Sequence, residues 1–123
     1  MKDVALSKRL KAQREELCHL IVTACIDATA EIMAVAPSDI LSRGRSAAIY
    51  RARMAVYHAA RDYFTGRMQL SFPEIARAAN RDHSSIVHAR DKSEGLIVKD
   101  MDFRRLVARI LSTVKTKTFK TAA

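Results

Sequence analysis

The sequence predicts an all-α fold: a small helical domain with a helix-turn-helix, preceded by a long N-terminal helix. Three observations carry this. Only 3 Gly and 2 Pro occur in 123 residues, so few turns are supplied. Apolar residues make up 49% and charged residues 28%, the balance of a folded soluble chain rather than a disordered one. Apolar side chains recur at steps of three, four or seven along most of the length, the period of helices that bury one face. At this length a single core is the natural expectation.

The elements follow in order. Leu6, Leu10, Leu17, Leu20, Ile21, Ala24, Ala28, Ile32 and Val35 keep helical spacing to about Ala36; the polar run Lys8 to Glu16 leaves open one helix or two. Pro37 stops this segment, and Ser38 is placed to cap a short turn carrying Ile40 and Leu41. A Gly-containing basic loop, "SRGRSAA", leads into a helix expected from about Ala47 to Thr65, with Gly66 as its left-handed end. Ser71 and Glu74 have capping-box spacing, and Pro73 sits in the first turn, so a short helix is expected to about Ala79. A longer helix should run from about His83 to Val98, and a last one from Met101 to about Val114. The predicted organisation is an N-terminal helical extension, 1–27, the helix-turn-helix domain, 28–114, and a flexible basic tail, 115–123.

The net charge of +9 is unevenly spread. Residues 1–37 are neutral, 38–67 carry +4, 68–99 carry +1 and 100–123 carry +4. A basic excess confined to part of a chain suits a polyanion, nucleic acid first; a merely solubilising surface is the competing reading. The N-terminus is charged throughout and lacks the apolar core of a signal peptide. The longest apolar run, Leu17 to Ile26, is roughly half a membrane span, so no membrane partner is expected. Cys18 and Cys25 would stand about 10 Å apart along one helix, too far for a disulfide. Two unpaired thiols point to a cytoplasmic setting.

The stretch "SFPEIARAANRDHSSIVHARDK" concentrates the functional signal. A helix-turn-helix needs a small residue where its helices cross, a residue tolerant of left-handed backbone in the turn, and an aliphatic residue closing the pair. Ala76, Asn80 and Ile86 fill these places, with Ile75 as a buried neighbour. Asp82 is a natural N-cap. That leaves His83, Ser84 and Ser85 in the first turn and His88 a turn further on, with Ser84 and His88 on one face. Recognition helices contact bases chiefly through short polar side chains near their N-termini. The bland alternative is that Asp82 and the serines only cap and the histidines are simply exposed.

The segments "DILSRGRSAAIYRAR" and "FPEIARAANRDHSSIVHARDK" together resemble the C-terminal DNA-binding domain of the bacterial replication initiator DnaA. That family's signature is Arg-Asp-His, paired Thr or Ser, an aliphatic pair, then His-Ala. The resemblance covers roughly Ala28 to Leu111. It implies double-stranded DNA as partner, Arg45 entering the minor groove, and Arg43 and Arg53 near the phosphate backbone. It also implies base reading or helix positioning by Asp82, His83, Ser84, Ser85 and His88, and a backbone contact from Lys92. Several features depart from the family: Asn80 replaces a usual Gly-Gly, the basic loop is thinner at Gly44, Ala47 and Met54, and Asp91 stands where a basic residue is usual. Each lost phosphate contact flattens the salt dependence of binding by about one unit of log-log slope.

With glycines only at 44, 66 and 95, no phosphate-binding G-x-x-x-x-G-K-[ST] loop can be drawn. The implied function is recognition of DnaA-box-like sites, modulating chromosome replication from a cytoplasmic, nucleoid-associated position. An alternative is a regulator that binds the initiator or the AAA+ protein that inactivates it. No enzyme, cofactor or metal is expected. His83 and His88 are five apart rather than the four that stack two ligands on a helix, and Asp82, His83 and Ser84 are merely adjacent. Oligomeric state is left open.

Overall fold

In the computed structural model the backbone is described for residues 2–44 and 46–122, and side chains for 4–44 and 46–117. Among the described residues all regular structure is helical: α1 (Lys2–Met33), α2 (Pro37–Leu41), α3 (Ala47–Asp62), α4 (Phe72–Ala78), α5 (His83–Lys99) and α6 (Met101–Ala122), with a 3-10 turn at Gly66–Met68.

Helix α3 is the axle. Ala52, Ala55, Ala59 and Ala60 are completely buried, and small side chains there let α1, α5 and α6 approach closely. Around it close Cys18, Val22, Cys25 and Ile26 from α1, Ile75 from α4, Ile86 from α5, and Phe103, Val107, Ile110 and Val114 from α6. Each large side chain buried this way contributes about 1.5–3 kcal/mol. Near the start of α3, Arg51 pairs with Asp100 at 2.9 Å and lies over the Phe103 ring. Asp100 also accepts from the Phe103 N–H at 3.0 Å, so one carboxylate both starts α6 and ties it to α3.

Helix α1 is continuous through Lys8 to Glu16 and across the expected 27/28 boundary. Lys, Arg, Gln and Glu are good helix formers, so the polar run extends the helix. Arg14 anchors it by donating to both Glu74 oxygens (2.7 and 3.2 Å) and to the Met68 and Gln69 carbonyls. Both cysteines are free and buried. Burial pushes the Cys18 thiol up to about 11 and the Cys25 thiol up to about 12, so neither is a ready nucleophile.

Four boundaries differ from expectation. First, α1 ends at Met33, because Ala34 takes a left-handed backbone (φ 54°) and Val35 donates back to the Ala30 carbonyl. Second, Ala36 rather than Ser38 is the N-cap of α2: Pro37 is its first residue, and Asp39 accepts from the Ala36 N–H at 3.2 Å. Third, α3 stops at Asp62, and Gly66, left-handed at φ 61°, opens the 3-10 turn instead of closing the helix. Finally, α6 continues past Val114 to Ala122. No Gly or Pro interrupts "KTKTFKTA", and the Thr113 and Thr116 hydroxyls fold back onto carbonyls four residues earlier. Among the described residues no helix is long and apolar enough to cross a membrane.

Candidate nucleic-acid interface

The helix pair α4–α5 is built from local signals that reinforce one another. Ser71 Oγ accepts from the Glu74 N–H, and Glu74 Oε1 accepts from the Ser71 N–H at 2.9 Å, closing a capping box at the start of α4. Glu74 is held down to about 2, chiefly by the Arg14 guanidinium, with the Ser71 N–H assisting. At the other end Asn80 is left-handed (φ 54°), and the Arg81 N–H reaches the Ala76 carbonyl at 2.8 Å. This chain reversal lets Ile75, Ala76 and Ile86 meet, all buried. Asn80 therefore does the work expected of it.

Asp82 then starts α5. Its carboxylate accepts from the Ser85 N–H at 3.3 Å and from the Ser85 hydroxyl at 2.5 Å. Those bonds, the Ser85 hydroxyl first, hold Asp82 below the usual aspartate value. Asp82 and Ser85 thus fix each other. His83, Ser84 and His88 are different: all three are exposed, and their side chains make no hydrogen bond to another described residue. Ile86 and Ala89 face inward between them, so the helix is clamped while these polar groups point to solvent.

Beside this helix lies the loop between α2 and α3. Arg53 sits beneath it, only 7% exposed. Its Nε donates to the Ile40 carbonyl at 2.8 Å, Nη1 to Gly44 at 2.6 Å, and Nη2 to Asp39 and Ser42. Burial, followed by the nearby Arg81 charge, lowers its pKa. Arg53, expected near the phosphate backbone, spends its donors on carbonyls of α2 and of the loop, because α3 carries it into the core side of the loop. Arg43 is exposed. Arg45 lies outside the described residues.

Arg81 was not among the residues singled out in the sequence, although it opens the Arg-Asp-His signature. It donates to the Leu41 and Ser42 carbonyls, joining the turn to the loop. The two arginines from opposite sides thereby set the loop against the start of α5. Between them is a cleft of about 500 Å³ lined by Arg43, Tyr50, Arg53, Arg81, Asp82 and Ser85.

Further along α5, Lys92 is exposed, its ammonium 5.5 Å from the Tyr50 ring centre. Asp91 shares the face of Ser84 and His88, three residues beyond His88. Arg90 pairs with it at 3.0 Å and so offsets part of its charge. Arg90 in turn stacks on Phe72, whose ring also lies against Arg61.

This geometry coincides with a family signature. Residues 22–92 match the model described as bacterial DnaA protein helix-turn-helix. The chain belongs to that family. Its relatives include the chromosomal replication initiator protein DnaA of Aliarcobacter butzleri (strain RM4018), 31% identical over 90 residues. That match takes in 72% of this chain and 20% of the relative. The DnaA proteins of Rhodopseudomonas palustris strains BisB18 and BisB5 are 42% and 41% identical over 67 and 68 residues. These cover 54% of this chain and 13% and 14% of the relatives. The chain therefore spans a fifth or less of the length of these initiators. The family span begins within α1, so that helix contributes both to the shared domain and to residues before it.

Proposed function

We propose that this chain binds double-stranded DNA at DnaA-box-like sites and thereby modulates initiation of chromosome replication in the nucleoid. The supporting observation is the solvent-facing set His83, Ser84 and His88 at the start of a rigidly capped α5, within the DnaA helix-turn-helix span. In this reading α5 enters the major groove with Ser84 and His88 toward base edges, while Arg43 and Lys92 meet phosphates. Arg45 serves the minor groove, the role its family resemblance implies. Asp82, Ser85, Arg53 and Arg81 act one step back by fixing helix and loop. Titration of a box-bearing and a scrambled duplex at two salt concentrations tests this. Tighter binding to the box at both salts is expected; equal affinity refutes box recognition, and no binding at low salt refutes DNA binding altogether.

A second reading is favoured by two observations: Arg53 is withdrawn from the surface, and Asp91 puts a carboxylate on the reading face. Here the domain binds the initiator or its AAA+ inactivator and holds DNA weakly. Affinity capture with the purified chain separates the two, since retention of either protein by a variant unable to bind DNA supports the second.

A further inference from the structure

Every residue from Val4 to Gln13 is exposed, so the first turns of α1 stand clear of the body. They nevertheless carry Leu6 and Leu10, 53% and 55% exposed. Leu6, Leu10, Gln13, Leu17 and Leu20 are spaced four, three, four and three, the alternation of a coiled-coil seam. Cys18, Val22, Cys25 and Ile26 occupy a different face, the one turned to the core. Packing α1 on the body therefore leaves the leucine stripe outside: Leu20 is 58% exposed, and Leu17 only borders the core. Scattered exposed leucines need no explanation, but a run at this spacing does.

We propose that this stripe is the seam of an antiparallel helix pair formed with a second copy of this chain. With Leu6 at d and Leu10 at a, Arg9 and Glu16 take g positions, while Ser7 and Arg14 take e. In an antiparallel pair g faces g, which sets Arg9 against Glu16 of the second copy, twice by symmetry. A parallel pair would instead set Arg9 against Arg14 of the second copy, whose guanidinium Glu74 already holds, and would leave Arg9 without an acidic partner. The favoured register lays Leu6 on Leu17 and Leu10 on Gln13. Sliding by one heptad either way sets Arg9 on Arg9 or Glu16 on Glu16, so charge selects both direction and register. Arg9 and Glu16 make no ion pair within the chain among the described residues, leaving both available.

Sedimentation velocity of the full chain over a concentration series tests the pairing. Wild type should pass from monomer to dimer. Leu6→Glu with Leu10→Glu should weaken the dimer at least tenfold, to about the extent that burying leucine matters, with an unchanged far-UV spectrum. Arg9→Glu and Glu16→Arg should each weaken it several-fold, and the double exchange should restore it. A monomer at every concentration, or a dimer indifferent to the leucine changes, overturns the proposal. Tightening by Arg9→Glu overturns the antiparallel direction, because an antiparallel pair would then set two carboxylates together at positions 9 and 16.

Discussion

Replacing Arg53 with Ala removes the post on which the α2–α3 loop hangs. Its guanidinium serves four backbone carbonyls, those of Asp39, Ile40, Ser42 and Gly44. The bond to Ile40 is fully buried, and the others are partly so. A buried bond to a charged donor contributes about 1.5–3 kcal/mol; the partly buried ones contribute less, since water replaces them. Desolvating the guanidinium offsets some of this, as its lowered pKa indicates. The net expectation is a loss of about 2–3 kcal/mol, read as a shift of the urea midpoint at unchanged slope. DNA affinity should fall as well, because Arg43 loses its placement. The slope of log K against log salt should hold within about half a unit, since no phosphate contact made by Arg53 itself is lost. An exposed phosphate-binding arginine would behave oppositely: stability within about 0.5 kcal/mol of wild type and a slope flatter by about 0.9. That second pattern would refute the reasoning and return Arg53 to the DNA.

Three further outcomes follow from the same geometry. Asp82→Ala removes the α5 cap and should lower the midpoint of thermal or urea unfolding; an unchanged midpoint would mean that the start of α5 does not depend on Asp82. Ala34→Gly should stabilise by up to about 1 kcal/mol, because relief of the left-handed backbone penalty exceeds the added flexibility of the unfolded chain; destabilisation would place Ala34 outside that region. Glu74 stays ionised in the folded chain down to about 2, whereas an unperturbed Glu is near 4.5. Its stabilisation is therefore complete above about pH 4.5 and drains away as pH falls toward 2, and Glu74→Gln should flatten that part of the stability profile.

The helix pair at the centre of the site was legible because its instructions are local. Ser71, Glu74 and Asp82 cap by spacing, and Asn80 tolerates a backbone that most residues avoid. The roles of Arg53 and Arg81 were not legible, for a tertiary reason. Both are arginines in a basic neighbourhood, and only the packing of α3 under the loop, and of the turn beside it, turns them toward carbonyls. The end of α1 at Ala34 carried no glycine to announce it. The continuation of α6 was hidden by composition, since a lysine- and threonine-rich segment has the polarity of a tail but contains nothing that must break a helix. Continuity of α1 was obscured in the same way by the polarity of Lys8 to Glu16.

The most direct measurement of the central reading is selection of bound duplexes from a random DNA pool, followed by sequencing, for wild type and for Ser84→Ala with His88→Ala. If the start of α5 reads bases, wild type enriches a motif related to the DnaA box, and the double variant loses discrimination at a few adjacent positions while still binding DNA, each lost contact costing about 1–3 kcal/mol of preference. Enrichment of no motif, or of the same motif by both proteins, would contradict it.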